Sequence, residues 1–152
     1  MMRNMQAPNP TATARPLPVR LHPGDDLRRA LEHAIARHDI AAAFVLSGIG
    51  SLRPAMLRFA GAPEATRIDA DTELLTLSGT LGAAGTSHLH MSVADAQGRC
   101  LGGHVNYGCI VRTTAEVLLM TLPDWQFSRE PDPVTGYAEL AIRRTGSPSD
   151  FS

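Results

Sequence analysis

Cysteine is scarce in this 152-residue chain, which has only Cys100 and Cys109, in no Cys-x-x-Cys spacing. That scarcity excludes a zinc ribbon and a disulfide framework, and it fits reduced thiols in a cytoplasmic protein. Charge of one sign is lacking too: 14 basic residues face 15 acidic ones, for a formal net charge of −1. There is no overall basic field to attract phosphates, so DNA binding would need a local patch. No run approaches the roughly 18–20 apolar residues needed to span a bilayer. Met1 to Pro16 also lacks the continuous apolar stretch of a signal peptide, so the expectation is a cytoplasmic protein with no membrane partner.

Two catalytic signatures are missing as well. Gly48 and Gly50 lack the following helix and the Gly-Lys-Ser/Thr tail of a phosphate loop, so Gly48 to Ser51 reads as a tight turn between strands. Ser47, Ser51, Ser78 and Ser87 stand in no Gly-x-Ser-x-Gly elbow. Cys109 could pair with a histidine as a catalytic thiol, but the plainer reading is a buried inert thiol.

What is present is 43% apolar content, enough to bury the core of one domain. Met1 to Ala14 reads as a mobile tail, residues 15–145 as the domain, and Gly146 to Ser152 as a flexible end. Leu17, Val19 and Leu21 alternate with Pro18, Arg20 and His22, which predicts an edge strand. Pro23-Gly24-Asp25-Asp26 caps a helix whose apolar face is Leu27, Ala30, Leu31, Ala34 and Ile35, ending near His38. His33 and His38 fall to its solvated side. Later strands are expected at Ala41 to Ser47, Arg53 to Ala60, Glu73 to Leu81, Ser87 to Asp95, Arg99 to Asn106, Ile110 to Leu122 and Tyr137 to Arg143, with Gly61 to Asp71 a polar loop. With one helix only, parallel crossovers cannot dominate. The fold class is therefore α+β, a mainly antiparallel twisted sheet packed with one main helix.

His88, Leu89 and His90 carry the most chemistry. In a strand, positions i and i+2 share a face, so His88 and His90 project together while Leu89, Met91 and Val93 face the core. Asp95 to Gly98 should reverse the chain and return Gly102-Gly103-His104 alongside. A three-residue loop at Ala96 to Gly98 sets His104 opposite His90, within reach of a shared ion. Gly102-Gly103 is the place for a bulge, or for close approach of a ligand or a neighbouring backbone. Three neutral imidazoles with an open fourth position suit a divalent metal, zinc first, with nickel or iron accepting the same nitrogens. The alternative is three hydrogen-bonded sheet histidines. Glu73 and Glu116, in strand-like runs, are candidates for a further ligand or general base; a solvated strand face is the plainer reading.

Several of these pieces, taken in order, resemble the plant and prokaryote conserved domain. They are Pro23-Gly24-Asp25-Asp26, Leu46-Ser47-Gly48-Ile49-Gly50-Ser51, Leu77-Ser78-Gly79-Thr80-Leu81, His88-Leu89-His90, Asp95 with Gly98, Gly102-Gly103-His104 and Val111-Arg112-Thr113-Thr114-Ala115-Glu116-Val117. The likeness runs from about Leu17 to Arg143. It implies a homotrimer of antiparallel sheets acting as a binding or regulatory module, and its histidine pieces imply the metal site. Plant members join the domain to AT-hooks, and bacterial ones are labelled DNA-binding by that association. This chain has no Arg-Gly-Arg-Pro core, so the minor-groove mechanism does not carry over. Where plant members have Gly-Arg-Phe-Glu-Ile-Leu for partner binding, this chain reads Asp71-Thr72-Glu73-Leu74-Leu75. Three function classes follow: a metal-containing binding module with a small-molecule ligand near the histidines, a metal-dependent enzyme of hydrolase type on a small polar substrate, and sequence-independent DNA binding by a trimer face.

Overall fold

A computed structural model describes residues 13–83 and 85–145. The expected tails of residues 1–12 and 146–152 lie outside the described residues. Ten strands and one helix follow the order β1 (Arg15–Leu21), α1 (Leu27–Arg37), β2 (Ala42–Leu52), β3 (Ala55–Arg58), β4 (Thr66–Ile68), β5 (Thr72–Gly82), β6 (His88–Ala94), β7 (Cys100–Val105), β8 (Val111–Thr121), β9 (Trp125–Pro131) and β10 (Ala138–Arg144). The first eight strands to form one sheet run β1-β8-β2-β5-β6-β7-β3-β4, all antiparallel, and β9-β10 is a separate two-stranded hairpin.

The helix forms where the period predicts. Asp26 is its N-cap and accepts from Arg29 N at 3.2 Å, and Leu27, Leu31, Ala34 and Ile35 are buried. The cap also ties the helix to the β7–β8 loop, because Asp26 Oδ2 accepts from Gly108 N at 2.7 Å. The helix packs on the inner face of the sheet against β1 and β5, and Leu52, Leu57, Leu77, Leu89, Met91, Val105 and Val117 join it in the core. Fully burying such a side chain contributes about 1.5–3 kcal/mol, so this inner face dominates stability. β1 pairs only with β8, the edge position that Pro18 requires.

Three expectations change. Gly48 to Ser51 is not a turn: it lies inside β2, which continues to Leu52 with bulges against β8. A Cβ on Gly50 would stand 2.4 Å from Thr114 O, so the glycine serves close strand approach. The polar loop from Gly61 to Asp71 contains β4, a short strand held by β3. β9 is a strand beyond those expected, its period masked by Gln126, Ser128, Arg129 and Glu130.

The outer face differs in character at its two ends. Over β2, β5 and β8 it leaves Leu46, Ile49, Leu75 and Leu118 exposed, Leu46 and Ile49 by more than half. At the other end, the β9–β10 hairpin folds onto it. Phe127 is 2% exposed and meets the Phe44 ring edge-on at 5.4 Å.

Candidate metal centre

The β6–β7 hairpin has the register that the sequence predicts, with His90 paired to His104. Its turn is closed by Asp95 N donating to Arg99 O at 3.1 Å and Gly98 N donating to Asp95 O at 2.9 Å. Gly98 sits at φ +75, a left-handed conformation that glycine adopts without strain. The Asp95 carboxylate accepts from the Arg99 and Gln97 backbone N–H groups, and the Arg99 bond above all holds its pKa below the usual range. Because the loop is odd in length, no bulge is needed, and Gly102 and Gly103 pair regularly with Ser92 and Met91. Gly103 instead admits a neighbouring backbone: a Cβ there would lie 2.6 Å from Arg58 O on β3. Gly79 does the same on β5, where a Cβ would lie 2.0 Å from His88 O.

The three imidazoles meet on the outer face. His88 Nε2 lies 3.0 Å from His90 Nε2 and 3.1 Å from His104 Nδ1. All three ligand nitrogens fall within 4.8 Å of one another. A tetrahedral ion with Zn–N bonds of about 2.0–2.1 Å separates its ligand nitrogens by about 3.3 Å, so a small relaxation seats all three. His88 Nε2 carries either one proton or one lone pair, so it makes at most one well-directed hydrogen bond with its two neighbours. The donor set fits a divalent metal. Burial is the main cause that lowers the pKa of His88, followed by the Arg129 charge and the neighbouring His90 and His104, with Glu139 opposing. Burial likewise lowers that of His104, with His90 and Arg58 contributing. Both shifts favour the neutral, metal-binding form.

One arginine holds the backbone on either side of the cluster. Arg28 on α1 donates from Nη2 to Ser87 O at 3.0 Å, just before His88, and from Nη1 to Val105 O at 3.1 Å, just after His104. Its Nε reaches Ser87 Oγ and Glu32 Oε1, both at 3.1 Å. Glu32 also accepts from Ser87 Oγ and, at 3.1 Å, from Tyr107 OH, while Arg28 stacks on the Tyr107 ring at 4.5 Å.

Glu73 and Glu116 are not part of the histidine cluster. Glu73 is exposed on β5 opposite Ala94, four residues beyond His90 on β6, or about 13 Å along the strand. Glu116 is exposed on β8, with β2 and β5 between it and β6. The carboxylate beside the cluster is Glu139. With Arg129 and Leu140 on the hairpin it walls a cleft of about 280 Å³ whose floor includes Ser78, Thr80, His88 and His90. No motif marks Arg129 or Glu139 in the sequence. Cys109 is buried beside Met56, accepting from its N–H at 3.2 Å, and burial pushes its pKa to about 11, as expected of an inert thiol.

Residues 9–123 match the Plants and Prokaryotes Conserved (PCC) domain. The chain belongs to this family. The family match ends before β9, whereas the resemblance read from the sequence extended to Arg143. The chain is 47% identical over 137 residues to the bifunctional protein GlmU of Synechococcus sp. (strain JA-3-3Ab), a match that covers 90% of this chain but 22% of that protein. It thus spans about a fifth of that relative's length. A hypothetical protein of known structure from Salmonella enterica is 39% identical, with TM-score 0.84 over 90% of this chain and 97% of that one. The metal-containing protein AF0104 from Archaeoglobus fulgidus, 24% identical, shares the fold with TM-score 0.71 over 86% of this chain and 96% of its own. Among the described residues, no helix is long and apolar enough to cross a membrane.

Proposed function

We propose that this PCC domain is a metal-containing binding or regulatory module, with a divalent ion, zinc first, held by His88, His90 and His104. The observation that carries this reading is the approach of three ring nitrogens from paired strands to 3.0 and 3.1 Å. A metal-containing relative with the same fold supports it. The ion would supply a Lewis acid beside the cleft, and the chain supplies three imidazoles from the β6–β7 hairpin. The module acts in the cytoplasm as a homotrimer; the exposed Leu46, Ile49, Leu75 and Leu118 support self-association through the sheet face.

Elemental analysis of protein purified without a histidine tag tests the metal. One ion per chain in the wild type, lost in His90→Ala, is the expected result, and a metal-free wild type refutes the reading. Light scattering checks the trimer, which Ile49→Asp should dissociate.

A second reading, a metal-dependent enzyme of hydrolase type, is favoured by Glu139, a carboxylate in the cleft placed to accept a proton. Turnover of a hydrolase substrate panel that disappears in Glu139→Gln would distinguish it from the binding module.

A further inference from the structure

The wall of the cleft belongs to the β9–β10 hairpin, which lies beyond the family match at residue 123. Arg129 lines the cleft and is held to one side by two long hydrogen bonds, Nη2 to Thr80 Oγ1 at 3.3 Å and Nε to Thr86 O at 3.5 Å. Its Nη1 has no acceptor, and the guanidinium has no carboxylate within 4.0 Å, among the described residues. Seven other arginines of the chain do have such partners: Arg28, Arg29, Arg53, Arg67, Arg99, Arg112 and Arg143. Glu139 lines the same cleft and, among the described residues, is likewise without an ion pair. Two opposite charges on one short hairpin thus share a cleft without closing on each other.

We infer that the cleft binds a small carboxylate, with Arg129 clamping the oxyanion beside the histidine site and Glu139 offsetting the Arg129 charge. This rests on the metal reading. With a divalent ion on three neutral imidazoles, the charges of Arg129 and Glu139 cancel and the cleft keeps two positive charges, which attract an anion. A volume of about 280 Å³ falls below the roughly 300–1,000 Å³ of sites for drug-sized ligands, so the ligand is small. Arginine suits the task, because its planar fork offers paired donors to a carboxylate while another N–H stays on Thr80. Glu139 reduces the attraction for each negative charge a ligand brings, so it lowers the affinity of a dianion such as phosphate by more than that of a monoanion.

Calorimetric titration of zinc-loaded protein with acetate, and in parallel with inorganic phosphate, tests this, with the metal content of every sample measured. Saturable acetate binding is expected. Arg129→Gln should weaken acetate by about 10- to 100-fold with metal content unchanged, and Arg129→Lys, which keeps the charge and the fold but loses the fork, should fall between. Glu139→Gln should raise phosphate affinity more than acetate affinity. Metal-loaded protein that does not take up acetate saturably, or that takes it up equally well in both Arg129 variants, overturns the clamp and leaves the metal site standing. Phosphate affinity unmoved by Glu139→Gln overturns the role given to Glu139. A wild type that retains no zinc overturns the metal reading and this inference together.

Discussion

Replacing Arg28 by alanine removes a side chain that grips the backbone on both sides of the histidine cluster. Each bond from its charged guanidinium to a carbonyl contributes about 1.5–3 kcal/mol. The side chain is 18% exposed, so water can reach part of the vacated space and the lower end applies. The Glu32 pair, partly exposed and at i,i+4 spacing, adds about 0.3–0.5 kcal/mol. The expected loss is therefore about 3 kcal/mol. At a slope of about 2 kcal/mol per molar urea, the unfolding midpoint falls by about 1.5 M. Arg28→Lys should recover less than half, because a single ammonium cannot span Ser87 O and Val105 O together. If Arg28 also sets the spacing of His88 and His104, metal affinity falls by about tenfold in both variants, as for other outer-sphere groups. A loss under about 1 kcal/mol in Arg28→Ala, with unchanged metal affinity, would refute the reasoning by showing that water replaces the guanidinium.

Phe127→Ala should cost about 3–5 kcal/mol, chiefly by undocking the hairpin from Phe44. Hydrogen exchange checks it: β9–β10 amides should lose at least about 100-fold of their protection while β2 and β8 keep theirs. Gly79→Ala forces a Cβ onto His88 O at φ +137, so it should destabilise the chain by at least about 3 kcal/mol and abolish metal retention, as read by thermal melting and elemental analysis. His88 and His104 are held below their ordinary value of 6.5, chiefly by burial, so the unfolded chain takes up protons that the folded chain refuses. The stability of the metal-free chain should be full above about pH 7 and fall as pH drops through 6.5, with a smaller drop in His88→Gln, by urea unfolding at about pH 7.5 and about pH 5.5.

Much of this site could be read from short stretches of chain. The alternation His88-Leu89-His90-Met91 puts two imidazoles outward, and the Asp95 and Gly98 turn fixes the partner of His90. Turn geometry and strand period act over 16 positions between His88 and His104, and that range suffices. The helix was legible for the same reason, since Asp26 and the Leu27–Ile35 stripe are local signals. Glu73 and Glu116 looked equally plausible because a strand pattern says nothing of how far along the strand, or how many strands away, a side chain ends up.

The residues alone therefore determined the class of fold, the inner and outer faces of its strands, and a trio of imidazoles on one hairpin. Only the tertiary structure decided which charges stand beside that trio. Arg129 reaches Thr80 across 49 positions of sequence, and it does so because Phe127 buries itself against Phe44 and brings the hairpin onto the outer face. Such docking is a balance of apolar burial against loop closure over a long separation, and no local period or turn signal encodes its outcome.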